Sequence, residues 1–278
     1  MPLITPPSEV EILRKRIVEL ESALANVVRS DRSVFTRRTG KLIDTTPATL
    51  LAESVPAVPE DRSPIQWSGD DQRALADAFH RMWYDHRSST WEDTHWLGHQ
   101  LLKLPLDLWV YQELIWKVRP TVFIECGTNR GGSALYFASL FDLIGTGRVI
   151  SLDVERHGNP PVHPRIEYLL GSSTSEEIIS AVRDQITPDD VVMVFLDSDH
   201  TASHVRGELE AFAPMVTSGS YVIVEDSNIN GHPVLPNWGP GPWEALVDFF
   251  EGSEDFERDP WCERYLMSFA TDGFWRRR

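Results

Sequence analysis

From Pro120 onward, short apolar runs alternate with longer segments whose apolar residues recur every three or four positions. The short runs contain few polar positions, and Val192 to Leu196 is apolar throughout. Strands of this kind are covered on both faces, which is typical of a parallel sheet wrapped by helices. The pattern therefore predicts an α/β fold with strands at 121–125, 148–153, 166–170, 191–197 and 221–226 and with helices at 133–144, 175–185 and 203–216.

Two more apolar segments lie near the end of the chain, at 265–270 and 273–277. Asp272-Gly273 separates them, and this dipeptide is typical of a tight turn between strands. We expect the two segments to form a terminal pair of strands.

Before Pro120 the pattern divides the chain into three segments. Residues 1–29 have apolar positions at alternating spacings of three and four, which predicts a heptad helix. Self-association as a coiled coil and packing on its own domain both remain open for this helix. Residues 30–64 are rich in Pro, Ser and Thr and predict a linker or arm. Residues 65–119 predict a helical cap in which Leu75, Ala78, Phe79 and Met82 share one face, and residues 120–278 form the predicted ligand-binding domain.

The amino-acid composition of the chain indicates which kinds of partner and which cellular compartment to expect. The 278 residues carry a formal charge of −16, with 26 Lys and Arg against 42 Asp and Glu, which argues against a nucleic-acid partner. Only Cys126 and Cys262 are present, so a disulfide framework is not expected and a reducing compartment is the default. The apolar runs are too short to span a bilayer and no leader pattern stands at the N-terminus. We therefore expect a cytoplasmic protein.

A glycine-rich loop follows the first predicted strand. It reads Glu125-Cys126-Gly127-Thr128-Asn129-Arg130-Gly131-Gly132-Ser133. Its glycines allow backbone to approach a ligand closely, and the next helix offers free N–H groups to an anion. The Lys of a phosphate-binding loop and the spacing of a dinucleotide loop are both missing.

S-adenosylmethionine remains as the cofactor that suits this loop. Its carboxylate can use the start of the helix, while Glu125 can meet its positively charged end. We expect contacts from Glu125, Gly127, Thr128, Asn129, Gly131 and Ser133, with a tight strand-to-helix turn as the alternative explanation.

The ends of the next two strands add polar groups at the same edge of the sheet. Asp153 ends the second strand, where a carboxylate can accept hydrogen bonds from ribose hydroxyls. Gly171-Ser172-Ser173 follows the third strand and offers Ser172 and Ser173 to an adenine edge. Capping of the following helix is the alternative for each of these positions.

Three carboxylates stand at the ends of two strands expected to be neighbours: Asp197, Glu225 and Asp226. They would repel one another unless a cation lies among them. Oxygen ligands favour Mg²⁺, with Mn²⁺ and Ca²⁺ as alternatives. His200, three residues after Asp197, is the predicted general base, with a helix cap or surface position as the alternative. Asp197 is also expected to lie beside the donor.

The chain from about residue 105 to 278 resembles the metal-dependent class I methyltransferases grouped with cephalosporin hydroxylase-like proteins and with rhamnosyl and macrolide-sugar O-methyltransferases. The matching segments are Tyr111-Gln112-Glu113, Ile124 to Ser133, Asp197-Ser198-Asp199-His200, Val224-Glu225-Asp226 and Gly239-Pro240-Gly241-Pro242-Trp243-Glu244.

This resemblance implies a Rossmann-like fold with a mostly parallel seven-stranded sheet and a C-terminal antiparallel strand. It also implies that Asp197, Glu225 and Asp226 hold Mg²⁺ and that His200 is the base. The expected reaction is methylation of a hydroxyl of a sugar or glycosylated natural product, with the metal chelating neighbouring hydroxyls and lowering the pKa of one of them.

The segment 228–243 is the predicted acceptor wall, including His232 and Trp238, unless it is only an ordered loop before the next helix. The expected partner is a small-molecule or glycoside hydroxyl, and the enzyme is expected to be a homo-oligomer.

Two other functions stay open. One is an oxygenase-associated protein of the cephalosporin hydroxylase type, although a second His for an iron triad is missing from the predicted site. The other is a catalytically silent scaffold.

Overall fold

A seven-stranded sheet is the centre of the computed structural model, which describes residues 68–278. The strands are β3 (Val122–Cys126), β4 (Arg148–Asp153), β5 (Ile166–Leu170), β6 (Val192–Leu196), β7 (Tyr221–Val224), β8 (Phe256–Arg258) and β9 (Phe274–Arg277). Their order across the sheet is β5-β4-β3-β6-β7-β9-β8. The first five are mutually parallel, and β9 runs antiparallel between β7 and β8. The predicted fold class is confirmed.

Helices cover both faces of the sheet. The described residues contain α1 (Gly69–Asp85), α2 (Pro105–Val118), α3 (Gly132–Ile144), α4 (Glu176–Arg183), α5 (Ala202–Phe212) and α6 (Pro242–Phe250). One face of the sheet packs in an aliphatic core with α4, α5 and α6, and the other packs in an aromatic core with α2 and α3. Within residues 68–278 every helix is too short or too polar to cross a bilayer.

The register of the parallel strands brings their carboxyl ends level. Cys126, the last residue of β3, pairs with Leu152 of β4 on one side and with Leu196 of β6 on the other. Leu196 in turn pairs with Val224, the last residue of β7. The loops after four strands therefore meet at one edge, as the sequence predicts for a ligand crevice.

The predicted strand at 265–270 is wrong. β9 pairs instead with β8 at Phe256–Arg258. Backbone groups of the 265–270 segment have other partners, because the Phe269 N–H donates to Asp107 Oδ2 at 2.8 Å and the Phe269 carbonyl accepts from Asn228 N at 3.1 Å. Leu266 also has a positive φ of 66°, which is incompatible with a strand.

The segment before the sheet is less helical than predicted. Between α1 and α2 lie two short 3₁₀ turns and a minimal hairpin of β1 (His95–Trp96) and β2 (His99–Gln100). The predicted apolar face of α1 is exposed, whereas His80 and Tyr84 are its buried residues. They pack in a third core with Trp91 and Phe269 below the hairpin.

Residues 66–278 form one compact unit. The predicted heptad helix at 1–29 and linker at 30–64 lie outside the described residues. The predicted boundary between a cap at 65–119 and a domain at 120–278 remains a prediction.

Candidate active site

A cavity of about 840 Å³ opens at the carboxyl edge of the sheet. Its floor comes from the loops after β3, β4, β6 and β7, and its outer wall comes from the end of α1, the segment up to Lys103 and the loop after β7. Predicted site residues on its wall are Gly127, Thr128, Asn129, Ser133, Asp153, Ser173, Asp197, His200, Asp226 and Trp238. Glu125, Gly131, Ser172, Glu225 and His232 are outside that wall.

The glycine loop fits tightly between two strand ends. A Cβ added at Gly127 would lie 2.0 Å from the Asp197 carbonyl oxygen, so any other residue would push β3 and β6 apart. The loop passes from Gly127 to the start of α3 at Gly132, and Thr128, Asn129 and Ser133 face the cavity. This close fit fixes the position of the glycine loop at the edge of the cavity.

Glu125 is buried and does not line the cavity. Its Oε2 accepts a hydrogen bond from Ser151 Oγ at 2.5 Å, and its Oε1 is buried without a partner among the described residues. Burial raises the pKa of Glu125 to about 7, against the opposing hydrogen bonds of Ser133 and Ser151. The contact of Glu125 with the positive end of the donor therefore stays a prediction.

Asp153 lies on the cavity wall with its carboxylate fixed by backbone. Asn129 N donates to Oδ2 at 2.8 Å and Glu155 N donates to Oδ1 at 3.2 Å. Each carboxylate oxygen can accept a further bond, so the group remains able to receive ribose hydroxyls.

Ser173 faces the same cavity from the loop after β5. Its hydroxyl donates to the buried Glu208 at 2.5 Å and lies 3.1 Å from His204 Nε2. The neighbouring Ser172 bonds Thr174 at 3.0 Å outside the cavity. Glu208 and His204 are therefore supporting residues that sequence reasoning missed.

Three groups near the centre of the cavity are spaced to hold a metal ion. One ligand atom from each of Asp197, His200 and Asp226 lies within 4.8 Å of the others. His200 Nε2 is 3.3 Å from Asp226 Oδ2. Carboxylate oxygens are ligands that Mg²⁺ prefers, so Asp197 and Asp226 fit the predicted metal, and His200 lies beside them.

Glu225 does not join this cluster, contrary to the prediction. Its carboxylate is buried, and Oε1 accepts a hydrogen bond from the hydroxyl of Tyr111 in α2. The backbone turns sharply after it, with φ at Asp226 of 52°, and only the Asp226 side chain reaches the cavity. Burial raises the pKa of Glu225 to about 8, while Lys103 acts in the opposite direction.

Lys103 is a site residue that the sequence reasoning missed. Its Nζ lies 2.6 Å from Asp197 Oδ2 and 3.8 Å from Glu225 Oε1, and its side chain is only 4% exposed. A signal was present in the sequence, because Lys103 is the single charged residue in the run Leu101-Leu102-Lys103-Leu104. A buried lysine needs a partner of opposite charge, and the strand-end carboxylates supply it.

Aromatic residues line the outer wall. Tyr84, Trp91 and Trp238 face the cavity, and Trp238 Nε1 donates to the His200 carbonyl at 3.3 Å. His232 is instead stacked on Trp243 at 4.1 Å, and its Nε2 lies 3.1 Å from Glu244. His232 therefore does not line the cavity, and its contact with an acceptor stays a prediction.

Comparisons with known proteins agree with this architecture. Residues 88–278 match the family model described as Rhamnosyl O-methyltransferase/CmcI. A rhamnosyl O-methyltransferase of Mycobacterium leprae is 36% identical over 209 residues, covering 72% of this chain and 90% of that protein. The protein of the same name from Mycobacterium tuberculosis H37Rv is 35% identical over 208 residues, covering 72% of this chain and 84% of that protein.

A solved structure supports the fold independently. The apo structure of CmcI aligns with a TM-score of 0.53 and 20% identity over 87% of this chain and 98% of CmcI. Because the family model spans most of the chain and the mycobacterial relatives exceed 30% identity, the predicted class of S-adenosylmethionine-dependent O-methyltransferase is confirmed, and this chain belongs to the Rhamnosyl O-methyltransferase/CmcI family.

Proposed function

We propose that this protein is a divalent-metal-dependent methyltransferase that transfers the methyl group of S-adenosylmethionine to a hydroxyl of a rhamnosyl or related deoxysugar glycoside. The single observation that carries the proposal is the convergence of Asp197, His200 and Asp226 at the centre of a cavity whose floor is the glycine loop. The mycobacterial relatives are named as rhamnosyl O-methyltransferases, and a CmcI structure contains Mg and S-adenosylmethionine.

Residues on the floor of the cavity would bind S-adenosylmethionine, the methyl donor. Thr128, Asn129 and Ser133 present polar groups around the start of α3, where helix N–H groups favour a carboxylate. Asp153 would accept hydrogen bonds from ribose hydroxyls, and Ser173 would contact the adenine. A donor bound by these residues would lie in the same cavity as the acidic cluster, which favours transfer by proximity.

Asp197 and Asp226 would hold the cation, and His200 would act as the base. A bound divalent cation supplies Lewis acidity that makes an acceptor hydroxyl easier to deprotonate. The imidazole of His200 would take the proton of the acceptor hydroxyl, and the Asp226 carboxylate, whose Oδ2 lies 3.3 Å from Nε2, would orient the ring. The acceptor sugar would contact Tyr84, Trp91 and Trp238, aromatic residues that line the same cavity and can pack against the apolar face of a pyranose.

The first experiment measures transfer of radiolabelled methyl to a panel of rhamnosyl glycosides, with chelator and after restoring Mg²⁺. We expect turnover that EDTA removes and Mg²⁺ restores. The Asp226→Asn variant should lose chelator-sensitive turnover while still binding S-adenosylmethionine, because Asp226 belongs to the cation cluster and not to the donor wall. Metal-independent transfer by the native enzyme would contradict the proposed mechanism.

A second variant tests whether His200 acts as the general base or as a metal ligand. His200→Gln should lower kcat by about 10²–10⁴-fold. It should leave Mn²⁺ affinity within a few-fold of the native value if the two carboxylates hold the cation. Loss of Mn²⁺ binding in His200→Gln would instead make His200 a metal ligand and refute its assignment as base.

A further inference from the structure

The ammonium group of Lys103 lies inside the acidic cluster of the cavity. Nζ is 2.6 Å from Asp197 Oδ2 and 3.8 Å from Glu225 Oε1, and it stands 5.4 Å from the centre of the Phe195 ring. The side chain is 4% exposed, so this charge has little access to solvent. None of the steps of methyl transfer described above uses it.

The backbone around Lys103 is held firmly in place. Leu101 N donates to the Thr94 carbonyl at 2.9 Å, and Lys103 N donates to Thr94 Oγ1 at 3.1 Å. The same segment presses on the start of α3, because a Cβ added at Gly132 would lie 2.0 Å from the Gln100 carbonyl oxygen. The side chain of Lys103 therefore extends into the cavity from a backbone segment that hydrogen bonds and close packing hold in place.

Acidic side chains are the nearest polar neighbours of the buried Lys103 ammonium. The carboxylates of Asp197 and Glu225 both lie within 4 Å of Nζ, and a buried ammonium group needs such partners. The lysine thus places one permanent positive charge against an oxygen of Asp197, a residue that also faces the predicted cation. Two cations that share a carboxylate repel each other strongly where water is excluded.

We propose that Lys103 is a positioning residue that acts as a resident counter-cation: it holds the Asp197 carboxylate in place and lowers the affinity of the cluster for a divalent cation. The inference rests on the proposed function, because it assigns the Asp197 cluster to such a cation. A weakly held cation lets substrate oxygens contribute to its binding, so that metal and acceptor bind cooperatively.

The test is Mn²⁺ binding in the absence of substrate, measured by electron paramagnetic resonance on the full chain. Lys103→Met removes the charge and keeps an unbranched apolar side chain. Lys103→Gln removes the charge and keeps a hydrogen-bond donor for Asp197. Both variants should bind Mn²⁺ more tightly than the native protein, by about tenfold or more. Arg130→Met is the matched control, since Arg130 is a cation on the same cavity wall but exposed, and it should change the affinity far less.

The outcomes distinguish this inference from the proposed function. Mn²⁺ binding by the native protein with equal or weaker binding by both folded Lys103 variants would overturn the role of Lys103 alone. Absence of Mn²⁺ binding in all of the proteins would overturn the cation site and this inference with it. An equal gain in Arg130→Met would mean that only net charge matters, which would also overturn the specific role of Lys103. Circular dichroism of each variant establishes which of them fold.

Discussion

Glu225 and Asp226 are neighbours in the chain, yet their carboxylates have different surroundings. Asp226 faces the cavity, whereas Glu225 points into the layer between the sheet and α2, where Tyr111 donates to it. The sequence predicts that two acidic residues stand at the end of β7. The direction of each side chain depends on the backbone turn at Asp226, where φ is 52°, and the sequence pattern does not specify that turn.

Tyr111→Phe tests the structural role of Glu225. The substitution removes the hydroxyl that donates to a carboxylate with no exposed surface, so we expect the free energy of unfolding to fall by about 1–3 kcal/mol. Urea denaturation followed by fluorescence measures this change. Tyr265→Phe is the control, because Tyr265 is 38% exposed and should be nearly neutral. Equal stability of the two variants would show that the Tyr111 hydroxyl does not stabilise Glu225.

At the scale of elements, α1 is joined to the loop after β7 through one buried histidine. His80 Nε2 lies 3.0 Å from Asn228 Nδ2, and its ring stacks on Phe269 at 5.7 Å. With the Asn228 amide nitrogen as donor, His80 Nε2 is the acceptor, which agrees with a buried histidine that is neutral near pH 7. Tyr84 stands one turn further along α1 and lines the cavity, so this contact also sets the outer wall of the site.

This histidine should make the protein lose stability in mild acid. Burial, with a smaller effect from Arg81, lowers the pKa of His80 from 6.5 to about 4. As the pH falls through 6.5, the unfolded chain takes up the proton before the folded chain does, so the free energy of unfolding decreases. The loss from His80 alone should be about 2 kcal/mol between pH 7 and pH 5, and it should end below pH 4.

Urea denaturation at pH 7 and pH 5 checks this expectation by comparing variants. His80→Gln removes the titrating group, so its loss of stability over this interval should be smaller than that of the native protein by about 2 kcal/mol. The exposed His86→Gln on the end of α1 should retain the native pH dependence. An unchanged dependence in His80→Gln would refute the role of His80.

At the scale of the whole molecule, the sheet is the part that the sequence predicts best. The parallel strands are mostly apolar, and β6 and β7 are apolar throughout. Their regular alternation with helices predicts, without any knowledge of packing, that Gly127, Asp153, Asp197 and Asp226 lie at one edge. Contacts between segments that are far apart in the sequence could not be predicted from the local apolar pattern. β8 is only 3 residues long, and Lys103 is 94 residues from Asp197 in the chain. No local periodicity connects such positions.

The residues that line the cavity all lie between Tyr84 and Trp238, within the compact unit that begins at Gln66. The family match begins at residue 88, so it includes nearly all of this wall but leaves out Tyr84 and Arg87. We expect the heptad helix predicted at 1–29 to add no chemistry to the proposed site. Homo-oligomer formation through that helix and cytoplasmic location both stay predictions.

A shortened chain that begins at Gln66 should therefore show whether methyl transfer depends on self-association. It keeps every described core and cavity residue, so we expect methyl transfer and the unfolding midpoint to stay close to those of the full chain. If the heptad segment mediates self-association, light scattering should show a smaller assembly for the shortened chain. The full chain with Leu13→Asp and Leu20→Asp, which places charges in the predicted seam, should show the same reduction. Loss of transfer in the shortened chain alone would mean that residues before Gln66 contribute directly to the site, whereas loss in both proteins would make assembly itself a requirement for catalysis.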